Sequence, residues 1–403
     1  MPLYTDRIAK ELEDKKREFD GVGFDKAVID QFRDAAKEFS SDIDAEIVDK
    51  LETLQYPGAV PTEEYLEEEQ WIIPFEESDS WNSHEAVNNW SRSQLENVTT
   101  IAADGSQIDP VEEFEKPVGL VQVVSIANDH TRSGDYEEDA TVKVLTPEDI
   151  LYSDEEGRKQ IDDQEVDTKR FETEMRVLEK QIEKFSDWEQ PPVVIYDGSL
   201  LLSFTGKFDG EIQDRYSEAM SRLLAASRYH SVPVVGYVSG SVATDLTKVL
   251  DSLNLVDTGQ TVRDYQMLQA FTENWGDRTA LFKSRRDDTL ETLHTTYRGE
   301  DFDFSDKLLF TYLNVSSGPQ MDRIELPQWV VEEDLFDYVI SVIRGEAGVG
   351  RGYPEILQSV DADAVISRQD RQKFLRMYQD FSEENDIELQ WNNKALSKNR
   401  RRR

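Results

Sequence analysis

Two apolar runs in the sequence end in the same tripeptide, Asp-Gly-Ser, at residues 104–106 and 197–199. The second run, Val193 to Tyr196, is short and continuously apolar, as is typical of a strand buried on both faces of a parallel sheet. The first run predicts a strand over 98–104. An aspartate at the end of a core strand has its carboxylate at the edge of the sheet, where metals and phosphates bind. The two tripeptides therefore predict one shared site.

The order of the predicted elements around these tripeptides narrows the fold class. Hydrophobic periodicity predicts, in chain order, strands over 98–104, 119–126 and 140–145, a helix over 160–185, a strand over 193–197, a helix over 212–230 and a strand over 232–238. This order is the topology of a ribonuclease H-like core. We therefore expect an α/β protein with a mixed central sheet flanked by helices, in which acidic residues from several elements converge.

The remaining segments are expected to surround this core. They are an N-terminal helical region (1–60), an acidic connector (61–96), the core itself (97–252), an inserted subdomain (253–330), C-terminal helices that complete the core (331–390) and a basic tail (391–403). The connector is predicted to be irregular over 63–84. The insertion is predicted to contain a charged helical part at 263–294 and a strand at 308–315, and a glycine-rich turn is predicted at 345–352.

The charge of the chain is strongly acidic. Its 403 residues include 84 Asp and Glu against 45 Lys and Arg, which gives a formal net charge of -39. A surface of this kind favours solubility in concentrated salt, because screening removes its self-repulsion, and we expect a halophilic source. The charge disfavours non-specific DNA binding by the whole surface, although it does not exclude a channel that is lined locally with arginine.

Cysteine is absent, and this excludes several kinds of site. Disulfides, zinc–cysteine sites, iron–sulfur clusters and thiol nucleophiles all need cysteine, and its absence fits a reducing cytoplasm. The N-terminus has no apolar signal region, and the sequence has no uncharged stretch of about 20 residues. We therefore expect a cytoplasmic protein without a membrane-spanning segment.

Four carboxylates are predicted to converge at the site. Asp104 and Asp197 come from the two strand ends. The third should come from the helix before Asp197, which carries Glu172, Glu174, Glu179 and Glu183. Glu179 is preferred, because it lies next to the apolar stripe of Met175, Leu178 and Ile182. Asp361, on the last core helix, is the fourth, with Asp363 as a nearby alternative.

Clustered carboxylates repel one another, so they persist where divalent cations neutralise them. Ligation by oxygen alone suits Mg²⁺ or Mn²⁺ rather than zinc. Two such ions about 4 Å apart activate a water and stabilise the leaving oxygen of an in-line phosphodiester displacement. Asp104, Glu179, Asp197 and Asp361 are accordingly predicted both as metal ligands and as catalytic residues of nucleic-acid hydrolysis.

Four segments of the sequence resemble the NurA family of nucleases. They are residues 101–106 (IAADGS), 193–201 (VVIYDGSLL), 233–238 (PVVGYV), and Gly352-Tyr353-Pro354 with Leu357 and residues 361–367 (DADAVIS). The resemblance covers roughly residues 97–381. It implies a ribonuclease H-like, Mn²⁺- or Mg²⁺-dependent nuclease that forms a homodimer and works on DNA ends with the hexameric HerA translocase ATPase in recombinational repair.

The resemblance also carries residue roles. Asp104, Glu179 and Asp197 would be the catalytic acids of the family. Many relatives have a histidine where this sequence has Asp361, so the fourth position departs from the family pattern.

Two other functions fit parts of the sequence. An actin-like or sugar-kinase-like ATPase also uses repeated Asp-Gly-Ser loops to bind phosphates, but there each loop joins the two strands of a hairpin, and here the second tripeptide follows a helix. A non-catalytic adaptor would use the N-terminal helices and the insertion as docking surfaces, and its binding would not depend on the four acids. The sequence has no G-x-x-x-x-G-K-[ST] segment, which excludes a P-loop ATPase.

Overall fold

The structure of the protein is a computed structural model. It describes residues 3–16, 26–77, 81, 83–110, 116–153, 159–186, 190–286 and 291–389. The basic tail at 391–403 lies outside these ranges.

Helices account for most of the regular structure at the two ends of the chain and on the faces of the sheet. Those in the described ranges are α1 (Thr5–Asp14), α2 (Lys26–Asp42), α3 (Ala45–Thr53), α4 (Glu63–Glu68), α5 (His84–Leu95), α6 (Pro147–Ile150), α7 (Asp163–Lys184), α8 (Gly210–His230), α9 (Asp245–Ser252), α10 (Asp264–Leu268), α11 (Trp329–Glu332), α12 (Phe336–Val349), α13 (Glu355–Ala364) and α14 (Arg368–Glu384). Among these, none is long and apolar enough to cross a membrane.

Most of the strands belong to one large mixed sheet. The strands in the described ranges are β1 (Gly58–Pro61), β2 (Ile72–Ile73), β3 (Thr100–Ile108), β4 (Gly119–Asn128), β5 (Tyr136–Leu145), β6 (Leu151–Ser153), β7 (Lys159–Ile161), β8 (Val193–Asp197), β9 (Val234–Val238), β10 (Arg278–Thr279), β11 (Phe282–Arg285), β12 (His294–Tyr297), β13 (Glu300–Asp303), β14 (Leu308–Leu313) and β15 (Asp322–Pro327). The main path through the sheet is β1-β11-β14-β15-β9-β8-β3-β4-β5. The pairs β6–β7 and β12–β13 form two separate small sheets.

The centre of the sheet combines both kinds of strand pairing. β3, β4 and β5 form an antiparallel meander, whereas β3, β8 and β9 run parallel to one another. The chain is therefore a mixed α/β protein whose large central sheet is flanked by helices, as the order of apolar runs predicts.

Both faces of β8 are covered, which explains its continuously apolar sequence. Val194 and Tyr196 pack in a core with residues of α7 and α8 on one side. Val193 and Ile195 pack with residues of α12 and α13 on the other. Helices on both faces thus leave only the ends of the parallel strands open to a ligand.

The predicted insertion is part of this sheet. β14 and β15 continue it from β9, and β11 and β1 extend it further. The predicted helical part at 263–294 is wrong, because among its described residues (263–286 and 291–294) only Asp264–Leu268 is α-helical. In β11 the side chains alternate between buried and half-buried, and this two-residue period is that of a strand packed on one face.

The predicted connector also differs from expectation. Residues 63–68 form α4, and Ile72–Ile73 pairs with β10. Trp71 is buried, donates its indole N–H to the carbonyl oxygen of Ala36 at 2.8 Å and stacks on Phe282. Aromatic side chains therefore hold this acidic stretch on a core formed by the N-terminal helices and the outer strands.

The predicted glycine-rich turn begins later than expected, because α12 continues through Gly345 and Gly348. A Cβ on Gly348 would lie 2.0 Å from Ser91 Oγ, and a Cβ on Gly345 would lie 3.0 Å from Leu95 Cγ. The glycines therefore let α12 approach α5 closely. They are needed for helix packing, and only the residues after Val349 form the turn.

Candidate active site

Asp104 and Asp197 lie at the same level on neighbouring parallel strands. In the register of β3 and β8, Thr100 pairs with Val193 and Ile101 with Val194, and the same offset along the chain relates Asp104 to Asp197. Alternation along each strand directs both aspartates to the face covered by α12 and α13. The two tripeptides therefore meet at one place, as the sequence predicts.

The two aspartates differ in their position on the strand. β8 ends at Asp197, whereas β3 continues to Ile108 and pairs Asp104 with Val124 of β4. The prediction that the first strand ends at residue 104 is therefore wrong. Asp104 reaches the open region because β8 ends beside it.

Asp361 on α13 is the third acid of the group. α13 packs across β3, β4 and β8, on the face to which Asp104 and Asp197 point. Burial raises the pKa of both strand aspartates, and the charge of Asp361 raises each pKa further. These shifts show that the three carboxylates repel one another.

Tyr353 holds one of these carboxylates in place. Its side chain is hydrogen-bonded to Asp197, and this bond opposes the rise in the pKa of Asp197 that burial causes. The Tyr353 ring packs edge-on against Tyr237 of β9, with the ring centroids 5.5 Å apart. Sequence reasoning noted Tyr353 only as part of a family motif, because a tyrosine after a glycine carries no signal of such a contact.

The helix acid next to this group is Glu174. It is 5% exposed, and its Oε1 accepts a hydrogen bond of 2.8 Å from Arg170 Nη1. Burial raises the pKa of Glu174 to about 7 even though Arg170 lowers it, and the charges of Asp104 and Asp197 add to the rise. The carboxylate lies against Gly105, where a Cβ would be 2.4 Å from Glu174 Oε1. The glycine of the first tripeptide therefore leaves room for this acid.

Glu179, the residue preferred from the sequence, lies elsewhere on α7. It accepts a hydrogen bond of 2.7 Å from Arg222 of α8. Positions 174 and 179 are about 140° apart around a helix with 3.6 residues per turn, so they cannot both face Gly105 of β3. Glu172 is likewise bound by Arg215, and Glu183 by Arg298.

A different spacing on α7 marks the face of the helix that lies against the sheet. Glu174, Leu178 and Gln181 follow one another at four and three residues, and Gln181 donates to Ser125 Oγ of β4 at 3.0 Å. The apolar stripe that pointed to Glu179 does not discriminate, because α7 is buried between the sheet and α8 on most of its circumference. The available signal was the presence of two polar residues, Glu174 and Gln181, on the side of α7 that faces the sheet.

The second tripeptide is hydrogen-bonded to Glu325 of β15. Glu325 Oε2 accepts hydrogen bonds of 2.8 Å from both Ser199 Oγ and the backbone N–H of Leu200. Its Oε1 accepts from Arg323 Nε at 2.7 Å. Ser199 therefore fixes the turn after Asp197 and does not face the acids as a nucleophile.

The donor set suits a hard divalent cation, because it consists of carboxylates without sulfur or imidazole. As the side chains are placed, no group of three or more histidine, aspartate or glutamate residues in the described ranges lies close enough together to hold a metal ion. The chemistry of the acids fits Mg²⁺ or Mn²⁺, and binding would need their side chains to rotate towards a common point.

These features define an acidic site at the open ends of parallel strands in a mixed α/β sheet. Residues 98–366 match the sequence model of the NurA domain, which is more than half of the chain, and the chain therefore belongs to the NurA family. Family membership indicates a nuclease that binds nucleic acid and acts in DNA repair.

Two solved structures have low similarity to the chain. One, described as the crystal structure of NurA, is 9% identical with a TM-score of 0.36, and the match covers 70% of this chain and 88% of that one. The other, the crystal structure of Drosophila Piwi, is 9% identical with a TM-score of 0.25, and the match covers 76% of this chain and 38% of that one. No curated protein sequence matches the chain at a significant level.

Proposed function

We propose that the protein is a metal-dependent deoxyribonuclease that hydrolyses phosphodiester bonds at DNA ends. The observation that carries the proposal is the position of Asp104 and Asp197 at one level of the sheet, with Asp361 and Glu174 beside them. Membership of the NurA family supports a nuclease. The order β5-β4-β3-β8-β9 supports a ribonuclease H-like core.

Asp104, Asp197, Asp361 and Glu174 are the residues that would hold Mn²⁺ or Mg²⁺. When bound, the metal supplies an activated water and stabilises the leaving oxygen of the phosphodiester. The protein supplies the positions of the acids: Tyr353 orients the Asp197 carboxylate, and Arg170 orients Glu174. The mutual repulsion that raises the pKa of Asp104 and Asp197 favours a cation that relieves it.

The test uses linear DNA and pairs of matched variants. Purified protein with Mn²⁺ is expected to degrade linear DNA, and Asp104→Asn or Asp197→Asn is expected to reduce the rate by at least about a hundredfold, as loss of a catalytic group does. Asp363→Asn should keep the parent rate, because residue 363 is about 200° around α13 from Asp361 and so lies on the other side of the helix. If both strand variants cut DNA as fast as the parent, the site is wrongly placed.

A second pair of variants tests the helix acid. Glu174→Gln should lose activity, because it removes a carboxylate that lies beside Asp104. Glu179→Gln should retain it, because Glu179 is bound to Arg222 on another side of α7. Both glutamines are close in shape to glutamate, so thermal unfolding of each variant should stay near that of the parent. The opposite ranking of the two rates would restore Glu179 as the ligand.

Metal binding has a readout that does not require activity. Mn²⁺ should raise the midpoint of thermal unfolding, because a ligand that binds only the folded state stabilises it. Asp104→Asn should reduce this rise. An equal rise in parent and variant would show that the ions bind elsewhere on the acidic surface.

End resection with a HerA-type hexameric ATPase and homodimer formation belong to the same proposal and are supported by family membership alone. The chain has no P-loop of its own, so ATP-driven movement along DNA has to come from a partner. Light scattering during size-exclusion chromatography should give the mass of a dimer. A HerA-type ATPase should co-elute with it and make degradation dependent on ATP.

The phosphate-binding ATPase alternative loses its structural basis. The first tripeptide lies within a continuous strand, and β8, which ends in the second, pairs in parallel with both neighbours. Neither tripeptide is the loop of a hairpin, which that class of ATPase requires.

A further inference from the structure

A cluster of aromatic rings lies beside the turn that precedes Tyr353. Trp81, Trp90 and Trp275 are three of the seven tryptophans in the sequence, and they pack together with Phe75. The centroids of the Trp81 and Trp275 rings are 5.3 Å apart. Both rings are only half-buried, so they present part of their surface to solvent.

These two rings line a cavity of about 660 Å³. Gly348 of α12 and the turn residues Arg351 and Gly352 form another side of it. Tyr353, which is hydrogen-bonded to Asp197, is the next residue along the chain. The cavity and the acids are therefore joined by one short, tightly packed turn. A cavity of this size accommodates a small molecule or part of a polymer.

The charge of the cavity is unusual for this protein. Asp and Glu make up 84 of the 403 residues, yet Arg351 is the single charged residue among the described residues that line the cavity. Arg351 is exposed. Burial raises the pKa of Glu355, four residues further on, and the positive charge of Arg351 opposes that rise. Its backbone φ is 60°, a left-handed conformation that costs a non-glycine residue free energy. The turn therefore presents an exposed cation beside two half-buried indole rings.

Aromatic rings next to an exposed arginine are a means by which proteins bind unpaired nucleobases and the phosphates between them. We propose that the cavity lined by Trp81, Trp275 and Arg351 is a subsite for an unpaired base of the DNA strand that enters the acidic site. The inference rests on the proposed nuclease function. An apolar protein side chain would fill the cavity equally well, but it would bring no phosphate to Arg351.

The proposal has a consequence for the substrate. A base stacks on Trp81 only when it has left its partner strand, so the DNA must be single-stranded or frayed where it enters this subsite. Single-stranded DNA and duplexes with unpaired ends should therefore be cut faster than blunt duplexes of the same sequence.

Binding without cleavage tests the subsite directly. The parent, with Ca²⁺ in place of Mn²⁺, is titrated into a fluorescently labelled thymidine oligomer and into the same oligomer with abasic sites, at one fixed salt concentration. Trp81→Leu is expected to weaken binding of the thymidine oligomer about tenfold, because stacking on one aromatic ring contributes about 1–3 kcal/mol. It should leave binding of the abasic oligomer unchanged, since that oligomer has no base to stack.

Arg351→Gln provides the second arm. It should weaken both oligomers by a similar factor, because a phosphate contact does not depend on the base. Tyr136→Leu and Arg376→Gln change an exposed aromatic and an exposed arginine outside the cavity, and both should bind as the parent does. Near-equal thermal unfolding of all four variants shows that the cavity change has not disrupted the fold.

The outcomes separate this inference from the proposed function. Equal weakening of both oligomers by Trp81→Leu, or no weakening of either, overturns the subsite. If the parent degrades DNA with Mn²⁺ while Trp81→Leu binds normally, the nuclease function stands and the subsite is lost. If the parent shows base-dependent binding and no cleavage, the subsite stands and the nuclease function fails.

Discussion

At the scale of single residues, the site depends on Gly105 as well as on its acids. Its missing side chain is the space that the Glu174 carboxylate occupies. In the second tripeptide, Ser199 bonds to Glu325 and secures the turn after Asp197. The two copies of Asp-Gly-Ser thus share an aspartate with a common task, while their other residues serve different local contacts.

Gly105→Ala should therefore damage the site through Glu174. A Cβ 2.4 Å from Glu174 Oε1 forces the carboxylate to move, and overpacking of this kind costs about 1–3 kcal/mol of unfolding free energy. DNA cleavage should fall with it. Gly206→Ala is the matched control, because nothing lies within 4 Å of its Cβ position, and it should change the unfolding free energy by less than about 0.5 kcal/mol.

The double variant Gly105→Ala, Glu174→Asp tests whether Gly105→Ala lowers the unfolding free energy through its contact with Glu174 or through an effect on the backbone. Aspartate is shorter by one methylene and relieves the contact, so the two changes together should cost less stability than the sum of their separate costs. Urea unfolding of the parent, the two single variants and the double variant gives this coupling. Strict additivity would mean that the two residues do not press on each other.

At the scale of elements, the buried carboxylate of Glu346 connects α13, the helix that carries Asp361, to the sheet. Glu346 of α12 accepts a hydrogen bond from Thr100 Oγ1 of β3 at 2.7 Å and from the backbone N–H of Ile356 in the first turn of α13 at 2.9 Å. His130 Nε2 lies 3.2 Å from Glu346 Oε1. The position of α13 on the sheet therefore depends on one carboxylate that three partners hold.

The contact between His130 and Glu346 makes part of the free energy of unfolding dependent on pH. Burial lowers the pKa of His130, but the hydrogen bond and the charge of Glu346 outweigh it and raise that pKa above the ordinary 6.5. A raised histidine pKa contributes stability that is complete below 6.5 and is lost as the pH rises through the folded-state value. The unfolding free energy of the parent minus that of His130→Gln should therefore decrease as the pH rises from 6.

Urea unfolding of both proteins across this pH range gives the difference directly. Subtracting the variant removes the contributions of the other titrating groups, which the two proteins share. A difference that stays constant or increases with pH would show that His130 is not charged in the folded protein.

The elements also show what the sequence could and could not predict. The meander, the two parallel strands and their helices could be predicted, because the spacing of apolar residues within each segment shows which of its faces is buried. The choice between Glu174 and Glu179 depends on how α7 is rotated against both the sheet and α8. The glycines of α12 read as a turn because their role appears only where α5 packs on them.

The short strands outside the parallel core were the least predictable for the same reason. β10 and β11 are short, and their pairing with β14, β2 and β1 joins segments that are far apart in the sequence. Periodicity within a window does not report such partners, so a charged stretch with helix-forming residues predicts a helix. Long-range pairing decided its structure instead.

At the scale of the whole molecule, a net charge of -39 opposes both folding and contact with DNA. A nuclease with this surface needs local features that overcome the repulsion between its carboxylates and DNA phosphates. The aromatic cavity and the acidic site differ in their local charge. The cavity has an exposed arginine and no described acid in its lining. The acids of the site would need a cation before they could approach a phosphate.

Salt should therefore stabilise the folded protein. The screening length is about 10 Å at 0.1 M and about 3 Å at 1 M ionic strength, so repulsion between the many surface carboxylates weakens over this range. The midpoint of thermal unfolding should rise between these concentrations of KCl, and NaCl should give the same rise, because screening depends on ionic strength rather than on the cation. A midpoint that falls or stays constant would contradict self-repulsion as the dominant surface effect. A rise confined to sulfate salts, which act by exclusion from the protein surface, would contradict it too.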